Sequence, residues 1–169
     1  MLRVLGLALL LTANPCLGDY QSEVPSTQGR STPMNESDAN KRIIRTLFEE
    51  WINKKNLTAV DQMMTANYVD HEGGRIGNSE STKKFLAALY NSFPDIHVTI
   101  EDIFSEGDKV IVRNTWRRTD KGGFMGRPAM GKSVVVEGIV IWRIEGGKVA
   151  ERWAVIDYFG LTQQLASVA

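Results

Sequence analysis

The segment SVVVEGIVIWRIE (Ser133–Glu145), the pair Gly146-Gly147 and the segment KVAERWAVIDYF (Lys148–Phe159) decide the fold of this chain. Both runs are rich in β-branched and aromatic residues, and a two-residue glycine turn joins them, which is the pattern of a β-hairpin. IHVTIEDIF (96–104) and DKVIVRNTWRRT (108–119) are runs of the same kind. The sequence therefore predicts an antiparallel sheet of four strands in the C-terminal half.

Helices are predicted ahead of these strands. Apolar residues recur at helical spacing over 39–56, a shorter helix follows near 57–64, and Tyr68 to His71 is extended or irregular. A third helix can be capped by Asn78 or Ser79, and Pro94 ends it. Helices followed by an antiparallel meander indicate the α+β class, with the helices on one face of the sheet.

We expect the sheet to curl, because Gly138 and the glycine-rich segment 122–131 interrupt its long strands. A curved antiparallel sheet roofed by N-terminal helices forms a cystatin-like cone. Such a cone is expected to enclose a central cavity, which is a natural site for a small ligand.

The first eighteen residues, MLRVLGLALLLTANPCLG, have the positive start, apolar run and small final residues of a secretory signal peptide. The alternatives are an uncleaved anchor or a true start at Met34. Residues 19–36 read as a disordered linker, and the folded domain is expected over 37–169, beginning near a Ser37 cap. Cleavage near Gly18 predicts a secreted or periplasmic protein that has lost its only cysteine, Cys16.

Charge and motifs restrict the partners. Twenty basic residues balance twenty acidic ones, so we expect no nucleic-acid partner, and no membrane partner after the signal is removed. No phosphate-binding glycine motif and no paired metal-ligand cluster stands out, so no cofactor or metal is predicted. Asn35 and Asn56 lie in glycosylation acceptor tripeptides, which matter only in a eukaryotic host.

The final strand carries the candidate catalytic residue. Glu151, Trp153, Val155 and Asp157 share one face, since side chains alternate along a strand. If that face lines the cavity, Asp157 is a carboxylate in an apolar pocket with a raised pKa, and it can exchange protons near neutrality. Alternatively, it caps the turn that begins at Tyr158 or faces solvent. Glu151 is expected at the rim, paired with Arg143 or Arg152.

His71 is predicted to assist Asp157 from the cavity mouth, the alternative being a surface histidine. Arg143 could point inward as a charge partner, whereas Trp142 is out of phase with it and is expected on the opposite, outer face. Aromatic residues are expected to line the pocket, although plain core packing explains them too. These substrate-binding candidates are Trp51, Tyr68, Phe93, Trp116 and Trp153.

The strand segments above, with FEEWINKKNLTAVDQMMTANYVDHEG (48–73) and FPDIHVTIEDI (93–103), resemble the SnoaL-like polyketide cyclase (ester cyclase) family of the nuclear-transport-factor-2-like superfamily. The resemblance covers about residues 38–166 and implies the cone fold. It implies that Asp157, matched on ERWAVID, is the acid/base of an intramolecular aldol closure. Pairing through the outer sheet face is frequent in the superfamily, so a homodimer is expected.

The chain also departs from the family pattern. Thr119-Asp120 stands where many relatives carry a threonine-histidine pair, and Ala129-Met130-Gly131 stands where they carry proline-threonine-glycine. The function predicted is that of a cofactor-free acid/base enzyme acting on a small hydrophobic carbonyl compound. The alternatives are a secreted, non-catalytic small-molecule-binding module and an isomerase- or epoxide-hydrolase-type relative.

Overall fold

The structure, a computed structural model, describes residues 35–72, 77–124 and 126–166. The predicted signal peptide, and all but the last two residues of the predicted linker, lie outside these ranges. The elements in chain order are α1 (Glu36–Leu47), a π-helical segment (Phe48–Asn53), α2 (Thr58–Met63), β1 (Met64–Asp70), α3 (Ser79–Ser92), β2 (His97–Glu106), β3 (Lys109–Thr119), β4 (Ser133–Glu145), β5 (Lys148–Ile156) and α4 (Tyr158–Ala166).

Local capping explains where the helices begin. The side chain of Asn35 accepts a hydrogen bond from the Asp38 amide at 2.8 Å, so α1 starts ahead of the predicted Ser37 cap. At α3 the predicted Asn78 cap is confirmed, since Asn78 and Ser81 bond each other's amides reciprocally. None of the helices within the described ranges has the length and apolarity needed to cross a bilayer.

The four predicted strands form an antiparallel meander, as expected, and a fifth strand joins them. The sheet order is β1-β5-β4-β3-β2, with β1 parallel to β5. The pairing matches Val69 with Glu151 and Asp70 with Arg152 across the two strands. A parallel pair has to be made over a long sequence separation, so no local pattern announces it.

The inner face of the sheet belongs to the even-numbered residues of β4. Val134, Val136, Val140 and Trp142 are buried there, while Ile139 on the opposite face is exposed. The prediction that Trp142 lies on the outer face is therefore wrong. Trp142 lies on the opposite face of the sheet from Ile139 and Arg143, as expected, but that face is the inner one, which the helices cover.

The chain does not continue as a strand to Phe159, because β5 ends at Ile156 and helix α4 begins two residues later. Leu161 and Leu165 of α4 are buried with Val134 and Val136 of β4 in a second small core. The inner face of the sheet is thereby covered by helices from both ends of the chain. Helices α1 to α3 cover one part, and α4 covers another.

The space around Gly138 allows a test of how tightly the inner face is packed. A Cβ built at Gly138 would lie 2.6 Å from the Ile156 Cδ1 atom and 3.2 Å from the Asn114 Oδ1 atom. We expect Gly138→Ala to lower the free energy of unfolding by about 1 kcal/mol, measured by urea denaturation, because Ile156 Cδ1 can move aside whereas Asn114 Oδ1 is bonded to Trp116. Glu137→Ala, on the exposed face of the same strand, serves as the control. Equal midpoints for both variants would contradict this expectation.

Candidate functional site

Two adjoining pockets lie between α3 and the inner face of the sheet, and Phe85, Leu89, Trp116 and Arg152 contribute to the walls of both. The first is called the tryptophan pocket; its other lining residues include Phe48, Trp51, Tyr68, Asp70, Val140 and Trp142. The second is called the arginine pocket; its other lining residues are Glu72, Arg118, Phe124, Val136, Ile156 and Tyr158.

The tryptophan pocket has aromatic walls. The rings of Trp51 and Trp142 meet edge to face at 6.3 Å, and Phe48 meets Trp142 in the same way. Neither the Trp51 nor the Trp142 indole N–H has a hydrogen-bond partner among the described residues, although both atoms are buried. Such walls suit an apolar ligand.

An ionic network built around Arg152 joins the two pockets. Its Nη1 atom lies 3.0 and 3.1 Å from the two Asp70 carboxylate oxygens and also donates to Glu72. The Tyr158 hydroxyl donates to the other Glu72 oxygen at 2.6 Å. The end of β1, the middle of β5 and the start of α4 thus bring a cation, two carboxylates and a phenol together in a half-buried wall.

Two members of the network, Arg152 and Tyr158, have shifted pKa values. Burial acts to lower the pKa of Arg152, but Asp70 and Glu72 outweigh it, and the pKa is raised. Burial, with the neighbouring Glu72 carboxylate, raises the pKa of Tyr158 to about 12. Arg152 is therefore a permanent cation and Tyr158 a neutral proton donor. The arrangement can polarise a carbonyl oxygen and supply a carboxylate base beside it.

Three of the five predicted substrate-binding aromatics lie where a ligand could reach them. Trp51 and Tyr68 line the tryptophan pocket, and Trp116 lines both pockets. The Trp116 indole N–H donates to Asn114 Oδ1 at 2.6 Å, which holds its ring against the pocket wall. Phe93 instead is fully buried in the core and lines neither pocket.

Trp153 and His71 lie on the outer face of the sheet, so the prediction that they contribute to the cavity is wrong. Their rings stack at 4.6 Å with an interplanar angle of 3°. The His71 Nε2 atom lies 2.8 Å from a Glu151 oxygen, and Arg143 Nε donates to the other Glu151 oxygen at 2.6 Å. The predicted pairing of Glu151 with Arg143 is confirmed, but Arg143 points outward rather than inward.

Asp157 shares that outer phase and is exposed, so its predicted orientation into the cavity is also wrong. Its Oδ1 atom accepts a hydrogen bond from the Gly160 amide at 2.7 Å, as a cap at the start of α4 does. The phase argument failed because Arg152 occupies the inner phase of β5. A charged residue there makes the truly buried face look polar, while Trp153 and Val155 make the outer face look buried.

Sequence reasoning therefore missed the residues that meet in the pockets: Asp70, Glu72, Arg118, Arg152 and Tyr158. One available signal was the spacing of Asp70 and Glu72, since residues two apart on an extended segment share a face.

Within the described ranges, no group of three or more histidine, cysteine, aspartate or glutamate side chains is placed to hold a metal ion.

Asp120, which stands where many relatives carry a histidine, has a structural role. Asp120 is buried, and its two carboxylate oxygens accept hydrogen bonds from the Gly123 amide at 2.9 Å and the Met130 amide at 3.0 Å. Asp120 thus holds the ends of the glycine-rich loop together. This loop carries Phe124, which lines the arginine pocket.

The model of the family described as SnoaL-like polyketide cyclase matches residues 42–165, and the chain belongs to this family. TsrD from Streptomyces laurentii is 23% identical, with a TM-score of 0.72 over 80% of this chain and 99% of TsrD. A candidate polyketide cyclase from Acidithiobacillus ferrooxidans is 26% identical, with a TM-score of 0.70 over 80% of this chain and 100% of its own.

AclR, a candidate hydroxylase from Streptomyces galilaeus, is 25% identical, with a TM-score of 0.68 over 77% of this chain and 97% of AclR. Among curated protein sequences, none matches this chain significantly. The family and these structures confirm the predicted cone: mixed helices against a curved, unclosed sheet, here of five strands.

Asp157 gives a direct test of its structural role. Asp157→Ala removes the cap of α4 and is expected to lower the free energy of unfolding by about 1 kcal/mol, measured by urea denaturation. Asp157→Asn keeps a side-chain oxygen for the Gly160 amide and should unfold close to the unsubstituted protein. Identical unfolding of the alanine and asparagine variants would show that the cap contributes nothing.

Proposed function

We propose that this chain is an acid/base enzyme whose two pockets bind a small hydrophobic molecule containing a carbonyl group. The observation that carries the proposal is the half-buried network of Arg152, Asp70, Glu72 and Tyr158 in a wall of otherwise apolar pockets. Membership of the SnoaL-like polyketide cyclase family supports it, as does the similarity to a candidate polyketide cyclase.

The proposed chemistry is proton transfer next to the carbonyl. The Glu72 carboxylate removes a proton from the carbon beside the carbonyl. The Tyr158 hydroxyl turns its hydrogen from Glu72 to the enolate oxygen, which the Arg152 guanidinium also stabilises. In an intramolecular aldol closure the enolate carbon then bonds to a second carbonyl carbon. The resulting alkoxide takes up the proton, so the step is redox-neutral and needs no co-reactant.

The second candidate function is a small-molecule-binding module without turnover. It is favoured by one observation, namely that the carboxylates of Asp70 and Glu72 are already engaged by Arg152. In that case the network is part of a rigid wall, and the pockets only hold their ligand.

Exchange of carbon-bound protons separates these two functions without knowledge of the natural substrate. We expect the protein to bind 2-tetralone, a hydrophobic ketone with acidic protons, and to accelerate its hydrogen–deuterium exchange in D₂O, followed by NMR. Glu72→Gln and Tyr158→Phe should each slow the catalysed exchange by about 10²–10⁴-fold, because they remove the proposed base and proton donor.

Asp157→Asn is the control, and its exchange rate should equal that of the unsubstituted protein. Exchange no faster than in buffer, with tetralone bound, would contradict the enzyme proposal and favour the binding module. Loss of exchange in Asp157→Asn alone would instead return the catalytic role to Asp157.

We also propose that the outer face of the sheet pairs with a second copy of the chain. Its strand pairing places Phe104, Ile111, Ile141 and Trp153 in one apolar row across four strands. Ile139 and Val155 form the next pair along β4 and β5 and are 51% and 78% exposed. Arg143 and Glu151 next to the row are paired with each other, so they leave no unbalanced charge there to oppose a second copy.

The oligomeric state tests this pairing. We expect the protein to elute as a dimer in light scattering coupled to size exclusion, and Val155→Lys to elute as a monomer because it places a cation in the apolar face. Phe159→Lys, on α4 and 74% exposed in the chain, is the matched control and should remain dimeric. A monomeric unsubstituted protein would contradict the proposal.

A further inference from the structure

A second cation, Arg118, lies in the wall of the arginine pocket and is buried. Arg118 is 7% exposed, and its guanidinium carbon lies 4.3 Å from the centroid of the Phe93 ring and 5.5 Å from that of Phe124. Its Nε atom is buried and has no hydrogen-bond partner among the described residues. The ion pairs of the described residues include none with Arg118, in contrast to Arg152, which has two carboxylate partners.

The aromatic rings compensate this charge only in part. The attraction between a cation and an aromatic face is weaker than the cost of removing a guanidinium from water. Burial lowers the pKa of Arg118 to about 10, and only the nearby Tyr158 acts in the opposite direction. Arg118 still carries its charge at neutral pH, so the pocket wall retains a cation that lacks a counter-ion within the described part of the chain.

The rest of the pocket defines what could supply that counter-ion. Trp116, Phe124, Val136 and Ile156 give it apolar walls. The anionic side chain in the same wall, Glu72, is already bonded to Arg152 and Tyr158. A ligand that fits has an apolar body and an anionic oxygen group, because a guanidinium matches a carboxylate with two parallel hydrogen bonds.

We propose that Arg118 binds the carboxylate of the ligand, and that the protein acts on or binds hydrophobic carboxylic acids in preference to their neutral esters. The inference rests on the proposed function, in which these pockets hold a small hydrophobic molecule. It adds a charge requirement that the Arg152 network does not impose, because that network is balanced by its own carboxylates.

A purely structural role for Arg118 predicts a different response to substitution. If Arg118 served only to pack on Phe93, its removal would destabilise the fold. A buried cation without a carboxylate can be replaced by an apolar side chain of similar length at little cost or with a gain in stability. Arg118→Met is therefore expected to melt at the same temperature as the unsubstituted protein or higher.

The test compares 2-naphthylacetic acid with its methyl ester, two probes that share one apolar body, by titration calorimetry at pH 7. We expect the unsubstituted protein to bind the acid about tenfold more tightly than the ester, or better, as charge-assisted hydrogen bonds provide. In Arg118→Met the acid should weaken to the level of the ester, while ester affinity stays within about twofold. Arg117→Met, on the exposed side of the same strand, is the matched control and should keep the preference for the acid.

The outcomes separate this inference from the proposed function. Equal binding of acid and ester overturns the role of Arg118 but leaves the hydrophobic pocket intact, whereas binding of neither probe contradicts both. An unchanged preference in Arg118→Met, or its loss in Arg117→Met, also overturns the inference. Should Arg118→Met fail to fold, Arg118→Lys takes its place: the acid must bind more weakly with the ester unchanged, and unchanged acid affinity contradicts the proposal.

Discussion

The charge of Arg152 on the inner face of β5 is the constraint on which the site depends. A guanidinium is stable in that position only if carboxylates meet it, and the segment after α2 supplies Asp70 and Glu72 as it runs parallel to β5. Tyr158 is brought to Glu72 by the start of α4. One half-buried charge thus ties the first strand, the last strand and the final helix together in a wall that both pockets share.

The two inward-pointing arginines divide the proposed function between them. Arg152 is neutralised by the protein itself, so its network can stabilise a transient negative charge and move protons without demanding an anionic ligand. Arg118 has aromatic neighbours and no carboxylate within the described residues, so a ligand is the natural source of its counter-charge. Proton transfer and ligand recognition are therefore assigned to different arginines of the arginine pocket.

The two faces of the sheet explain both the site and the errors in predicting it. On the inner face, buried valines and Trp142 support the pockets. On the outer face, an apolar row ends at Trp153, whose ring is stacked on His71. In the sequence, Trp153 shares a strand face with Glu151 and Asp157, which suggests a catalytic cluster that His71 could assist. Here, that cluster belongs to the surface that we propose pairs with a second copy, and Asp157 belongs to a helix cap.

The sequence by itself determined the three helices ahead of the sheet and the antiparallel meander, because apolar spacing, the Asn78 cap and the Gly146-Gly147 turn act over a few residues. It also indicated the family and three of the pocket aromatics, Trp51, Tyr68 and Trp116. Only the tertiary structure decided which face of the β4–β5 hairpin lies inside. The alternation of side chains along a strand defines two faces, but it does not show which face is buried when both are apolar. Here the buried face is the one that β1 and α4 help to cover, and their contacts with the hairpin are distant in sequence.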